Sequence, residues 1–164
     1  VTSLTTSAGL ARAGEIGRQS IEEFLAGVRE KWALIRPQIP LDLSFGGTGD
    51  SPMIVGDETV RQTLINILNN AADASPQSVK IYCIWNETDL VIEVRDQGLG
   101  ITEEIAEKAG RSFFSTKAAG RGIGLFLANA TIERLGGSVA LFNREGGGGC
   151  TRVTIPLASL VASV

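Results

Sequence analysis

Apolar residues recur along this chain in two rhythms, one of helices and one of strands. From about Ser20, the residues Ile21, Phe24, Leu25, Val28, Trp32 and Ile35 fall on one stripe at helical spacing. Ser20 with Glu23 three residues later has the form of a capping box for that helix, and Pro37 and Pro40 end it. Val1 to Gly17, rich in Ser, Thr, Ala and Gly, reads as a linker or a frayed end. Leu41 to Phe45 alternates like a short strand, residues 46–50 form a glycine turn, and Met53 to Val55 fits a second, very short strand.

The rhythm then repeats. Asp57 caps a second helix, with Glu58 in its first turn facing the positive end of the helix dipole. Val60, Leu64, Ile67, Leu68 and Ala71 form its apolar stripe, and Ser75-Pro76 stops it. Two alternating segments, Ser78 to Trp85 and Asp89 to Asp96, predict strands joined by a short Asn-Glu-Thr turn. Residues 97–120 read as a long glycine-bearing loop, with at most one helical turn at Thr102 to Lys108. A third helix spans about Arg121 to Leu135 and ends at Gly136-Gly137. Strands near Ser138 to Asn143 and Thr151 to Leu157 close the chain, separated by Gly146 to Gly149. This order predicts an α+β fold, a two-layer sandwich with a mixed sheet and helices on one face.

Composition narrows the picture. At 164 residues the chain accommodates one domain with a sizeable core. Hydrophobic content of 43% with mixed charge describes a globular protein. A net charge of -3 without a Lys/Arg cluster argues against nucleic acid as a partner. Cys83 and Cys150 lie far apart with no histidine to complete a zinc site, and read as two small buried hydrophobes. No apolar run is long enough to cross a bilayer, so direct membrane contact is not expected. The absence of an initiating Met suggests a piece of a longer protein.

Candidate chemistry gathers in the second half. On the second helix Asn66, Asn70 and Asp73 fall within an arc of about 60°, roughly 140° from the apolar stripe. A solvated helix side accounts for this face. So does a set of amide oxygens offered to Mg2+, an ion that takes few protein ligands when phosphates supply the rest. Asp96 shares strand parity with Leu90, Ile92 and Val94, so its carboxylate emerges at the core edge, where an ionised group needs donors. Turn amides at Gly98 and Gly100 would satisfy it; an exocyclic amino group such as that of adenine would do so equally. Thr151 has the parity of Val153 and Ile155, which suits a hydroxyl that helps fix Asp96 or a water beside it. Gly120, Gly122 and Gly124 match neither a dinucleotide fingerprint nor a Walker loop, yet amides where a helix begins suit an anion. Arg111, Lys117 and Arg121 supply cations nearby.

As an ordered set these segments resemble the nucleotide-binding domain of two-component sensor histidine kinases, within the GHKL superfamily of gyrase, Hsp90, histidine kinases and MutL. Asn66 to Asp73 is similar to the N box and Asp96 to Gly100 to the G1 box. Phe113, Phe114, Ser115, Thr116 and Lys117 are similar to the F box, and Gly120 to Leu125 to the G2 box. Gly149 to Thr151 resembles the last glycine element. The resemblance covers about residues 37–158. It implies the Bergerat fold with an ATP lid at 97–120, an ATP-binding catalytic domain over 37–164, and a linker with a connecting helix over 1–36. Asn70 would be the principal Mg2+ ligand and Asp96 the adenine reader. Asn66 would be a polar contact near the metal ligand and the Lys117 ammonium would approach the γ-phosphate, these two being the expected catalytic residues. Asp73, Gly98, Gly100, Ile101, Gly120, Arg121, Gly122, Ile123, Gly124, Leu125 and Thr151 would line the nucleotide.

ATP-hydrolysing members of that superfamily usually carry Glu where this chain has Asn66, and an amide cannot take the proton from an attacking water. Many kinases have Lys where Asp73 stands. The family's phosphoacceptor histidine lies on a preceding hairpin, and this chain contains no histidine. The expected function is therefore to hold Mg-ATP and donate its γ-phosphoryl to a histidine on a separate dimerisation domain, with a response regulator downstream. The chain alone would be unable to autophosphorylate. Its expected place is the cytoplasmic part of an inner-membrane sensor. The F box, the short lid and the Glu133 to Gly137 helix end look most like redox-responding kinases of the RegB type. The competing readings are a degenerate nucleotide-binding interaction module and a chaperone- or MutL-like ATPase.

Overall fold

A computed structural model describes residues 18–75, 77–97, 119–143 and 148–161; for residues 74, 119–126 and 143 it describes the backbone only. Eleven elements follow one another: β1 (Arg18–Ser20), α1 (Ile21–Ile35), β2 (Leu41–Gly47), β3 (Met53–Val55), α2 (Glu58–Ala74), β4 (Val79–Trp85), β5 (Asp89–Asp96), α3 (Ala119–Arg134), β6 (Ser138–Asn143), β7 (Gly149–Pro156) and α4 (Leu157–Val161). Five strands form a mixed sheet in the order β2-β4-β5-β7-β6, with β2 parallel to β4 and the other pairs antiparallel. β1 and β3 form a separate antiparallel pair. One face of the large sheet carries the helices, so the two-layer sandwich is observed.

Register explains which side chains reach the core. Val79, Ile81 and Cys83 on β4 stand beside Leu41, Leu43 and Phe45 on β2, and Ile81 and Cys83 stand opposite Val94 and Ile92 on β5. Val153 and Ile155 on β7 oppose Ile92 and Leu90. With side chains alternating along each strand, this side is continuous and apolar, and it packs against Leu64, Ile67 and Leu68 of α2 and Ile132 of α3. Cys83 and Cys150 are buried, and burial, with the charge of Glu22 adding to it, pushes the Cys83 thiol up to about 12.

The first helix joins the same core. Ile21, Phe24, Leu25, Val28 and Trp32 are fully buried within it, while Ile35, last on the stripe, is exposed. The buried Trp32 indole N–H donates to the Ile39 carbonyl at 3.2 Å. The capping box is present: Glu23 N–H donates to Ser20 Oγ at 3.1 Å and Ser20 N–H to Glu23 Oε1 at 3.0 Å. Asp57 caps α2 by accepting from the Thr59 and Val60 amides. Gly136, at φ +84°, ends the turn after α3, and a Cβ on Gly137 would strike the Thr154 carbonyl oxygen.

Several boundaries differ from expectation, among them the start of α3 at Ala119, two residues before the expected Arg121. β1 occupies Arg18–Ser20, between the linker read to Gly17 and the helix read from about Ser20, because three residues carry no alternation to recognise. β2 runs two residues further, to Gly47, whose bare backbone accepts the Trp85 ring where a Cβ would collide. The last strand begins at Gly149, and Leu157 starts α4 instead of ending the strand. The expected helical turn at Thr102 to Lys108 lies outside the described residues.

Candidate functional site

α2 and α3 pack side by side over the sheet, and α2 also lies on β5. This arrangement brings α2, which carries the amides, close to β5, the strand that ends at Asp96. Ser75 makes the junction specific. Fully buried, its Oγ accepts from the Gln97 amide at 3.0 Å and donates to the Ser78 carbonyl at 3.0 Å. One hydroxyl thus ties the end of α2 to the entry of β4 and to the residue after Asp96. Asn70, five residues before Ser75, lies about 7.5 Å back along the helix axis.

Asp96 pairs with Val79 across the sheet and keeps the parity of Val94, on the helix-bearing side. Its carboxylate is half-buried and Oδ1 accepts from the Gly149 amide at 3.1 Å. The backbone of Gly149 is so close that an added Cβ would lie 3.1 Å from Asp96 Oδ2. Thr151 is opposite Val94 on the same side, two residues further along β7. Gly149 and Ser75 were not singled out from sequence as groups that hold Asp96 or its neighbour. The signal for Gly149 is its place in a glycine run that resembles the last glycine element, and for Ser75 its place before Pro76, which reads as a helix stop.

Asn66, Asn70 and Asp73 occupy one side of α2, with Asn66 and Asn70 half-buried. Asn66 Oδ1 accepts from Gln62 Nε2 at 3.2 Å. Asp73 Oδ1 meets the Arg36 guanidinium at 2.8 Å, just past the end of α1, where Arg36 also lies over the Trp32 ring at 5.9 Å. This contact joins two helices and turns the Asp73 carboxylate toward a cation. Gly120 to Leu125, with Arg121, Gly122, Ile123 and Gly124 between them, form the opening turns of α3. By helix geometry the amides of Ala119 to Gly122 have no intrahelical acceptor, whereas that of Gly124 enters the ladder. Gly98, Gly100, Ile101, Arg111, Phe113, Phe114 and Lys117 lie outside the described residues. Among the described residues no group of three or more His, Cys, Asp or Glu side chains is placed to hold a metal. No helix among them is long and apolar enough to cross a membrane.

Comparison with known proteins gives the family and agrees with the fold. Residues 56–159 match the family described as histidine kinase-, DNA gyrase B-, and HSP90-like ATPase. Sporulation kinase C of Bacillus subtilis is 33% identical over 128 residues, which is 76% of this chain and 30% of that protein. Sporulation kinase E of the same organism is 30% identical over 109 residues, 65% of this chain and 15% of that protein, so the chain spans under a third of either relative. The catalytic domain of histidine kinase ThkA, in a nucleotide-free form, superposes with a TM-score of 0.70 at 28% identity, covering 85% of this chain and 94% of that one. ThkA in complex with the response regulator protein TrrA gives 0.66 at 26% identity, covering 87% of this chain and 42% of that one. With these matches and an acid-bearing strand end beside an amide-bearing helix, the chain belongs to the histidine kinase-, gyrase B- and HSP90-like ATPase family and is homologous to the ATP-binding catalytic domains of sensor histidine kinases.

Proposed function

We propose that this domain holds Mg-ATP between α2, α3 and the end of β5, and that in the intact protein it passes the γ-phosphoryl to a histidine on a dimerisation domain of the same protein. The observation that carries the reading is the Asp96 carboxylate, fixed by the Gly149 amide on the helix-bearing side of the sheet. An acceptor-only group held there would take the adenine amino group. Asn70 offers a neutral amide oxygen, a donor that fits Mg2+ when phosphate oxygens complete the shell. When bound, that ion would neutralise and orient the phosphates. The early amides of α3, from Gly120 to Gly122, would donate to phosphate oxygens at the positive end of the helix. Lys117 would bring a cation to the γ-phosphate, with Gly98, Gly100, Ile101, Arg121, Ile123, Gly124, Leu125 and Thr151 around the nucleotide. Asp73 is left to Arg36 at the rim.

Catalysis in this reading is positioning and charge neutralisation, since phosphoryl transfer asks little covalent chemistry of the protein. Asn66, an amide, activates no water, which protects ATP for transfer. The ThkA complex with its response regulator supports a response regulator as the next acceptor here. Calorimetry tests the pocket: Mg-dependent ATP binding is expected, with Asn70→Ala losing the metal dependence and Asp96→Asn losing preference for adenine over guanine nucleotides. Unchanged affinity in both variants rejects the assignment. Adding a histidine-bearing hairpin with labelled ATP tests transfer, and binding without labelled histidine favours a degenerate interaction module.

A further inference from the structure

The Asn66 side chain is oriented from outside the nucleotide face. Lys31, on the exposed side of α1, reaches across to α2 and donates through Nζ to Gln62 Oε1 at 3.4 Å and to Glu58 Oε2 at 3.2 Å. Gln62, one turn before Asn66, donates through Nε2 to Asn66 Oδ1 at 3.2 Å. The direction of this line follows from chemistry. An ammonium has donors only, so it demands the oxygen of the Gln62 amide. That leaves the Gln62 NH2 group for Asn66, which answers with its own oxygen. The Asn66 NH2 group is then turned away from Gln62.

We propose that Lys31 and Gln62 are positioning residues that set the polarity of Asn66, so that this amide meets a polyphosphate as a hydrogen-bond donor. The proposal rests on the ATP-binding reading above. Phosphate oxygens only accept, so a donor fits them, while a reversed amide would set a carbonyl oxygen against negative charge. The line carries the influence of a cation on α1 to the site and leaves the cation itself at the surface. Gln62 is exposed, so changing it leaves the core intact.

The test titrates the 164-residue chain with Mg-ATP and, in parallel, with adenosine, and follows thermal melting. Gln62→Glu keeps the shape but offers only acceptors, so Asn66 turns over to donate to it and shows its oxygen to the phosphates. The expected loss is about tenfold or more in Mg-ATP affinity, the scale of one hydrogen bond to a charged group, with adenosine affinity and melting midpoint unchanged. It persists in roughly 0.5 M salt, where long-range repulsion from the added charge is screened. Gln62→Leu and Lys31→Met, which free the amide without reversing it, lose less, and Lys31→Arg restores wild-type binding. Wild-type Mg-ATP affinity in Gln62→Glu overturns the proposal. So does a loss that salt abolishes, or one shared by adenosine or by melting. If Gln62→Glu does not fold, equal affinity in Lys31→Met and wild type overturns it instead. Absence of ATP binding by the unsubstituted chain rejects the underlying reading as well.

Discussion

In the proposed ATP-binding reading Asp96 serves only if its carboxylate stays where a base can meet it, and the backbone of Gly149 is one group that holds it. The amide of Gly149 donates to Oδ1, and the missing side chain leaves room for Oδ2. Gly149→Ala would place a methyl group 3.1 Å from that oxygen, tighter than ordinary contact. The acid must then shift by a few tenths of an ångström. ATP affinity measured by calorimetry is expected to fall about tenfold, the scale of one displaced hydrogen bond to a charged group, while the melting midpoint moves by only a few degrees. Unaltered affinity would show that Asp96 is held by other means. The parity of Asp96 was legible in the alternation of β5. Its partner was not, because Gly149 is 53 residues away and a glycine announces no side-chain chemistry.

At the scale of elements, the end of α2 is tied to the corner beside Asp96. Helix position came readily from Asp57 and the apolar stripe, and the stop from Ser75-Pro76. What periodicity does not contain is that Ser75 binds two other segments at once. Ser75→Ala would leave the Gln97 amide and the Ser78 carbonyl without this partner. Both bonds are part-buried and water can reach their far ends, so each loss costs about 0.5–1.5 kcal/mol. Denaturant unfolding should show a lowered midpoint, and hydrogen exchange should quicken at Gln97 more than at the centre of β5. Equal exchange at both places would mean that the hydroxyl does not anchor this corner. The β1 and β3 pair was half-legible for a related reason. Ribbons of three residues are stable only through packing on neighbours, and those neighbours, α1 and α4, are assembled by the whole fold.

Across the molecule, the sheet face away from the helices has its own order. Glu93 points outward by parity, yet it is 6% exposed. Arg95 and Arg152 bind it at 2.6 and 2.7 Å, and their guanidinium groups lie over the Tyr82 and Phe142 rings at 4.7 and 4.6 Å. Burial alone would raise the Glu93 pKa, but the two arginine hydrogen bonds and charges outweigh it and hold the carboxyl below its usual range. A folded value below the unfolded one means that Glu93 adds stability above the ordinary carboxylate value, about 4.3. That contribution is lost as pH falls through the folded value. Glu93→Gln should therefore flatten the decline of the melting midpoint below about pH 4. An equally steep decline in the variant would place the acid sensitivity elsewhere.

Alternation and helical spacing by themselves determined the core-facing stripes, the caps at Ser20 and Asp57, and the side of β5 on which Asp96 stands, because these depend on neighbours within a few residues. Only the tertiary structure decided the strand order, the burial of Glu93, the turn of Asp73 toward Arg36 and the grip of Gly149 and Ser75. Each of those joins residues distant in the chain, and a contact between distant residues exists only once the layers have closed on one another.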